Sequence, residues 1–298
     1  MVSAVWSAVK RASNLAGILP GGIDTARADS APPPVVGATP TARAAWLEQQ
    51  LQEYEDTLGA RHHRSIAARN NLATKYAQVG RRQEAIGQFE RALTDSVAVL
   101  GAANSQTDVI RENLASTLDD VRRYPEAAEH WLELLRQREE AAGAEDAATV
   151  HARGRLATAY RKTGQLDSAV VHFERALTDS PETSGERAES LRVGLALTHR
   201  AAERYEAAAQ QLRIVQAQRM RRLGPRHVDT LTVQLHLGRL QLTAQRLAAA
   251  TRTLERAYGE GLTASDDPDV RVLTMRLRRE LAQAYRATGR DRDAAALR

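Results

Sequence analysis

The chain contains no cysteine, so disulfides, thiolate metal ligands and cysteine nucleophiles are excluded from whatever it does. Aromatic residues make up only 4% of its 298 residues, with just two phenylalanines, which disfavours the strand-rich sandwiches and barrels that aromatic and β-branched side chains build. No run approaches the roughly 18 consecutive apolar residues of a membrane-spanning helix. Lysine is scarce too, three residues out of 42 basic ones, and this arginine skew fits a GC-rich coding sequence better than selection for phosphate-binding forks. What is present in quantity is Ala, Leu and Arg, all strong helix formers, in a chain whose 43% apolar content is enough for a buried core. The composition predicts a soluble, helical, cytoplasmic protein.

The net charge of +5 is compatible with an acidic partner, but the 37 acidic residues are interleaved with the basic ones as on a solvated helix surface. Two basic clusters, Arg219, Arg221, Arg222, Arg226 and Arg271, Arg276, Arg278, Arg279, could follow a phosphate backbone. Neither has aromatic neighbours on which bases would stack, so nucleic acid is disfavoured as the partner.

Internal repetition organises the chain. Asn70-Asn71-Leu72-Ala73-Thr74-Lys75-Tyr76 is echoed by Gly154-Arg155-Leu156-Ala157-Thr158-Ala159-Tyr160, and Phe89-Glu90-Arg91-Ala92-Leu93-Thr94-Asp95-Ser96 by Phe173-Glu174-Arg175-Ala176-Leu177-Thr178-Asp179-Ser180. Between them lies a third copy with Glu112-Asn113-Leu114-Ala115 and with Trp131 in place of the phenylalanine, which sets the unit at 42 residues. Gly59, Gly101, Gly143 and Gly185 fall on the same ruler. After a slip of three residues the pattern resumes at Leu195-Ala196, Leu237-Gly238 and Leu281-Ala282.

Apolar and small residues recur at three- and four-residue spacing within each unit, as in Ile66, Leu72, Ala73, Tyr76 and then Ala85, Ile86, Phe89, Leu93, so each helix has one buried stripe. Gly80-Arg81 and Gly164-Gln165 mark the turn between two helices, the glycine supplying a left-handed helix end. Six helix-turn-helix pairs are expected near 61–98, 104–141, 146–180, 186–222, 227–260 and 268–298, the last of them short. A preceding helix, Thr41 to Asp56 with Trp46, Leu47 and Leu51, is expected to cap the stack.

Leu72, Ala73, Tyr76, Gly80, Ala85, Phe89, Ala92 and the matching set Leu156, Ala157, Tyr160, Gly164, Ala169, Phe173, Ala176 resemble the tetratricopeptide repeat signature. Leu281, Ala282, Tyr285, Gly289 and Ala294 keep most of it. The long period, the Asn70-Asn71-Leu72-Ala73 string and the loop Leu223-Gly224-Pro225-Arg226-His227-Val228-Asp229-Thr230-Leu231 are similar to the longer repeats of kinesin light chains. Leu212 and Leu254 depart from the aromatic of the pattern. The resemblance covers about residues 42–298 and implies an all-α, right-handed α-solenoid of about six repeats.

The resemblance also implies function. Such a solenoid lines a concave groove with the first helices of its pairs, and the residue ahead of each Leu-Ala faces that groove, which nominates Asn71, Asn113, Arg155, His236 and Glu280. Asn70, Thr74, Arg161, Arg239, Arg279 and Arg286 are expected beside them. Asparagine offers a donor and an acceptor to a peptide backbone, while arginine clamps carboxylates, so the expected partner is a protein or peptide, acidic or carboxylate-ended. Packing between neighbouring helices is the alternative role for Asn71 and Asn113, and Gly194 interrupts the row. A scaffold or adaptor is the leading reading, with a peptide-sensing module of a signalling ATPase or transcription regulator as its alternative.

No phosphate loop, nucleophile elbow or paired-carboxylate constellation stands out, so neither enzymatic activity nor a cofactor is expected. Adjacent His62 and His63 diverge on a helix and cannot share a metal ion; His62 and His227 hold equivalent loop positions, which predicts a packing role. Residues 1–19 are amphipathic, with Val2, Val5, Trp6, Val9, Leu15 and Leu19 around Lys10 and Arg11, a pattern open to docking on a partner, a membrane surface or the chain's own groove. Residues 20–40, with Pro20-Gly21-Gly22 and Pro32-Pro33-Pro34, read as a disordered linker. The apolar end at Ala294-Ala295-Ala296-Leu297-Arg298 suggests end-to-end association.

Overall fold

A computed structural model of the chain describes residues 39–297 except 183 and 265. The amphipathic segment 1–19 and nearly all of the 20–40 linker expected from the sequence lie outside the described residues. The described chain is all-helical: α1 (Pro40–Leu58), α2 (His63–Gln78), α3 (Arg82–Leu100), α4 (Ser105–Asp120), α5 (Tyr124–Ala142), α6 (Ala147–Lys162), α7 (Leu166–Asp179), α8 (Glu186–Ala201), α9 (Tyr205–Leu223), α10 (Val228–Thr243), α11 (Leu247–Thr263), α12 (Pro268–Ala287) and α13 (Asp291–Ala296). No helix among the described residues is long and apolar enough to cross a membrane. Two compact units divide within α5, one ending at His130 and the other beginning at Trp131.

In the first unit α2 and α3 pair, α1 packs on α2, and α4 packs on α3. The stripe read from the sequence is the core: Ile66, Leu72, Ala73, Ala85, Ile86 and Phe89 are all buried. On the capping helix, Ala44 and Leu51 are buried while Trp46 and Leu47 are half-buried. In the second unit α6 pairs with α7, α8 with α9, α10 with α11 and α12 with α13, and each pair contacts the next. Trp131, Phe173 and Leu254 are buried in it. Gly194 interrupts the row of groove candidates for a packing reason: a Cβ there would lie 2.5 Å from the Phe173 ring, so the aromatic requires a glycine opposite it.

The turn within each pair is built identically. The residue that opens each second helix donates its backbone N–H to a carbonyl five residues back: Arg81 to Tyr76, Arg123 to Leu118, Gln165 to Tyr160, Arg204 to His199, Arg246 to Gln241 and Arg290 to Tyr285. This closure needs a left-handed residue before it. Gly80, Gly164 and Gly289 supply it, but Arg122, Glu203 and Gln245 take it in the other pairs, with φ of 66°, 58° and 57°. Between pairs, Gly59, Gly101, Gly143 and Gly224 close the preceding helix at φ near 90°. Gly185 is not their counterpart although it falls on the ruler: α7 stops at Asp179, and Gly185 caps the start of α8. The three-residue slip is therefore located in this loop.

Candidate functional site

The first helices of the pairs are α2, α4, α6, α8, α10 and α12, and all but α8 start at a side-chain cap that the sequence pattern left unassigned. Nδ1 of His62 accepts from the Arg64 N–H and Nδ1 of His227 from the Asp229 N–H, at 3.3 and 3.1 Å. Asn104, Asp146 and Asp267 cap α4, α6 and α12 in the same way. The histidines therefore act as N-caps, satisfying backbone donors that a helix start leaves open. Among the described residues no group of three or more His, Asp or Glu is placed to hold a metal ion.

In the first unit the nominated residues are uncharged. Asn71 on α2 is exposed, Asn70 is buried, and Asn113 on α4 is half-buried. The Asn113 Nδ2 donates to Asn70 Oδ1 at 3.1 Å, and Thr74 Oγ1 donates to the Asn70 carbonyl at 2.9 Å. Three of the four nominated residues here thus bond one another, and Asn71 is the one presented to solvent.

In the second unit the face is basic. His236 on α10 is half-buried, and its imidazole is held far below its ordinary value, at about 4, by burial first and then by the guanidinium groups of Arg239, Arg200 and Arg219. Arg200 of α8 and Arg239 of α10 are both exposed. Arg239 also donates to Glu280 of α12 at 2.8 Å, so two nominated residues pair with each other. The Arg155 guanidinium lies 5.3 Å from the Trp131 ring, and Arg161 is half-buried. Arg279 and Arg286 on α12 are exposed, as is Arg276.

Ion pairs behind these faces organise the second helices. Arg69 reaches Glu55 and Asp95, and Arg153, 84 positions later, reaches Glu139 and Asp179, each clamp tying three helices through a buried guanidinium. Glu189, only 2% exposed, is bound by Arg219 at 2.9 Å and Arg222 at 3.1 Å. Arg226 pairs with Glu260 at 3.2 Å. Three of the four arginines in the first basic cluster are therefore engaged by the chain's own carboxylates. Apolar periodicity carries no trace of these clamps, but the repeat ruler applied to charged residues takes Glu55, Arg69 and Asp95 onto Glu139, Arg153 and Asp179.

Stacked helix pairs with a shared turn and a repeated core define a helical-repeat protein of the α-solenoid class. Two family models, both described as tetratricopeptide repeat, match residues 106–181 and 65–106. Residues 65–181 are thus tetratricopeptide repeats, and the fold of the chain resembles that of kinesin-light-chain repeats. A putative kinesin light chain from Podosopora anserina, with nearly identical TPR-like repeats, is 20% identical with a TM-score of 0.61 over 68% of this chain and 97% of that one. A tetratricopeptide repeat protein from Parabacteroides merdae is 17% identical, TM-score 0.55, over 86% and 91%. BtubC (BKLC) from P. vanneervenii is 20% identical, TM-score 0.51, over 62% and 80%. At these identities the likeness concerns the fold. No curated protein matches the chain at a significant level.

Proposed function

We propose that this chain is a non-catalytic scaffold or adaptor, working in the cytoplasm, that holds a partner polypeptide on the exposed faces of its first helices. The tetratricopeptide fold supports protein interaction in general; the chemistry of these faces narrows the partner. The observation that carries the reading is the run of exposed arginines on three successive first helices, Arg200 on α8, Arg239 on α10, and Arg279 and Arg286 on α12. Such a surface favours carboxylates, from acidic side chains or a chain terminus. Asn71 in the first unit adds a sequence-neutral backbone contact.

The pairing of Arg219, Arg222 and Arg226 with Glu189 and Glu260 supports a polypeptide over nucleic acid, because those arginines already have carboxylate partners. Exposed Leu262, Val272 and Met275 around the last pairs support self-association as a secondary property, read by the molar mass at high concentration. The test of the main reading is selection from a displayed peptide library by the wild-type chain and by an Arg200→Ala, Arg279→Ala, Arg286→Ala variant. Acidic peptides retained by the wild type and lost by the variant support it; equal retention by both refutes it.

A further inference from the structure

At the end of each first helix, one position faces the turn and the preceding second helix. It is Tyr76 in the first pair and Tyr285 in the last, and both rings are built in the same way. The Tyr76 hydroxyl donates to Glu48 at 2.7 Å while the Arg81 guanidinium lies 3.9 Å over the ring. The Tyr285 hydroxyl donates to Glu255 at 2.9 Å with Arg290 at 4.2 Å over its ring. In both, the arginine also reaches the glutamate that accepts the hydroxyl.

In the pair formed by α10 and α11 the same position is Gln241, its register fixed by the bond from the Arg246 N–H to the Gln241 carbonyl. The arginine of the turn is retained as Arg246, but the ring is gone. Arg213 on α9 stands 28 positions ahead of Gln241, as Glu48 stands ahead of Tyr76. In place of the ring is a cavity of about 90 Å³ lined by Tyr205, Glu206, Ala209, Arg213, Gln241, Arg246 and small or apolar neighbours. Gln241 is only 6% exposed, and its Oε1 has no hydrogen-bond partner among the described residues. A buried amide oxygen without a partner carries a desolvation penalty that a donor would relieve. Glu206, bonded to Arg213 at 3.0 Å and 3.9 Å from Arg246, replaces the missing glutamate as a carboxylate beside the cavity.

We infer that this cavity is a docking pocket for a tyrosine side chain of a partner polypeptide. The ring enters beneath Arg246 as Tyr76 lies beneath Arg81, and its hydroxyl donates to the Gln241 oxygen or the Glu206 carboxylate. Ala209, Ala244 and Ala249 add apolar methyl groups to its lining. The enclosed space is smaller than the roughly 150 Å³ that holds a benzene ring, so Arg246, whose side chain is 67% exposed, lifts to complete the site. The pocket lies at the turn edge and uses none of the nominated first-helix residues, so it stands or falls independently of the reading above.

The test is a titration of the isotope-labelled full chain with N-acetyl-tyrosinamide, followed by NMR at the Gln241 side-chain amide and the Ala244 and Ala249 backbone amides. A saturable response is expected. N-acetyl-phenylalaninamide, lacking the hydroxyl, should bind about fivefold more weakly. Gln241→Tyr should abolish the response by supplying the ring from within, and Arg246→Ala, an exposed change that leaves the fold intact if the first variant does not fold, should weaken it about threefold. No saturable response in the wild type, equal binding of the phenylalanine analogue, a response retained in Gln241→Tyr, unchanged affinity in Arg246→Ala, or displacement of the ligand by acetate, which would mark an anion site, overturns the inference.

Discussion

Asn113 on α4 donates its side-chain amide to the Oδ1 of Asn70 on α2, joining the first helices of two successive pairs at 3.1 Å. Asn113→Ala leaves the buried Asn70 oxygen without its donor and should lower stability by about 1 kcal/mol. Asn71→Ala, at an exposed position, should change it by less than about 0.5 kcal/mol. Urea midpoints at unchanged m, followed by helical circular dichroism, compare the two. Equal effects would mean that the amide pair contributes nothing specific.

Arg153 is 1% exposed and bound to both Glu139 and Asp179. Removing the guanidinium strands two carboxylates against the second helices, so Arg153→Ala should destabilise by about 3 kcal/mol. Arg136, which bridges Glu133 and Glu140 on the surface of α5, should cost about 0.5 kcal/mol or less when replaced by alanine. Thermal midpoints that fall equally for both would contradict the clamp.

Two helical glycines should respond in opposite directions to alanine. Gly87 on α3 has open space around its missing Cβ, so Gly87→Ala should gain about 0.5–1 kcal/mol from helix propensity. A Cβ at Gly194 would meet the Phe173 ring at 2.5 Å, and the strain should outweigh the same propensity, giving a net loss of about 1 kcal/mol. Stabilisation by both substitutions, measured as chemical denaturation midpoints, would show that the ring moves aside freely.

His236 makes stability depend on pH in a predictable direction. Its folded value of about 4 lies below the ordinary 6.5, so the unfolded chain takes up the proton first. The neutral imidazole therefore contributes stability above about pH 6.5, and that contribution is lost as pH falls toward 4, by roughly 3 kcal/mol. His236→Gln should show a flatter stability profile across this window than the wild type. Parallel profiles would mean that burial and the nearby Arg239, Arg200 and Arg219 do not hold the ring neutral.

The repeat was legible because its carriers are frequent and periodic: Leu72, Ala73, Tyr76 and Phe89 recur wherever two helices must cross closely. What escaped were features made by residues far apart in sequence. Arg69 meets Glu55 and Asp95 only after three helices have packed, and apolar periodicity gives no hint of it. The Gly185 register was misread because a three-residue deletion in one loop brought an unrelated glycine onto the ruler. Asn71, Arg279 and Arg286, nominated from the sequence, are exposed, but the pattern gave no hint that Asn70 with Asn113, or Arg239 with Glu280, bond each other. The pocket at Gln241 was hidden because a departure from the pattern reads as erosion until the missing ring is seen as a space.

The central claim is that the partner polypeptide lies along the exposed faces of the first helices and leaves the exposed face of α7 uncovered. Photo-crosslinking residues placed at Asn71 and Arg286, both exposed on first helices, should capture a partner polypeptide from native extract, while the same group at Val171, 60% exposed on the second helix α7, should not. Capture of the same partner from position 171 alone, or equally from all three, would contradict it.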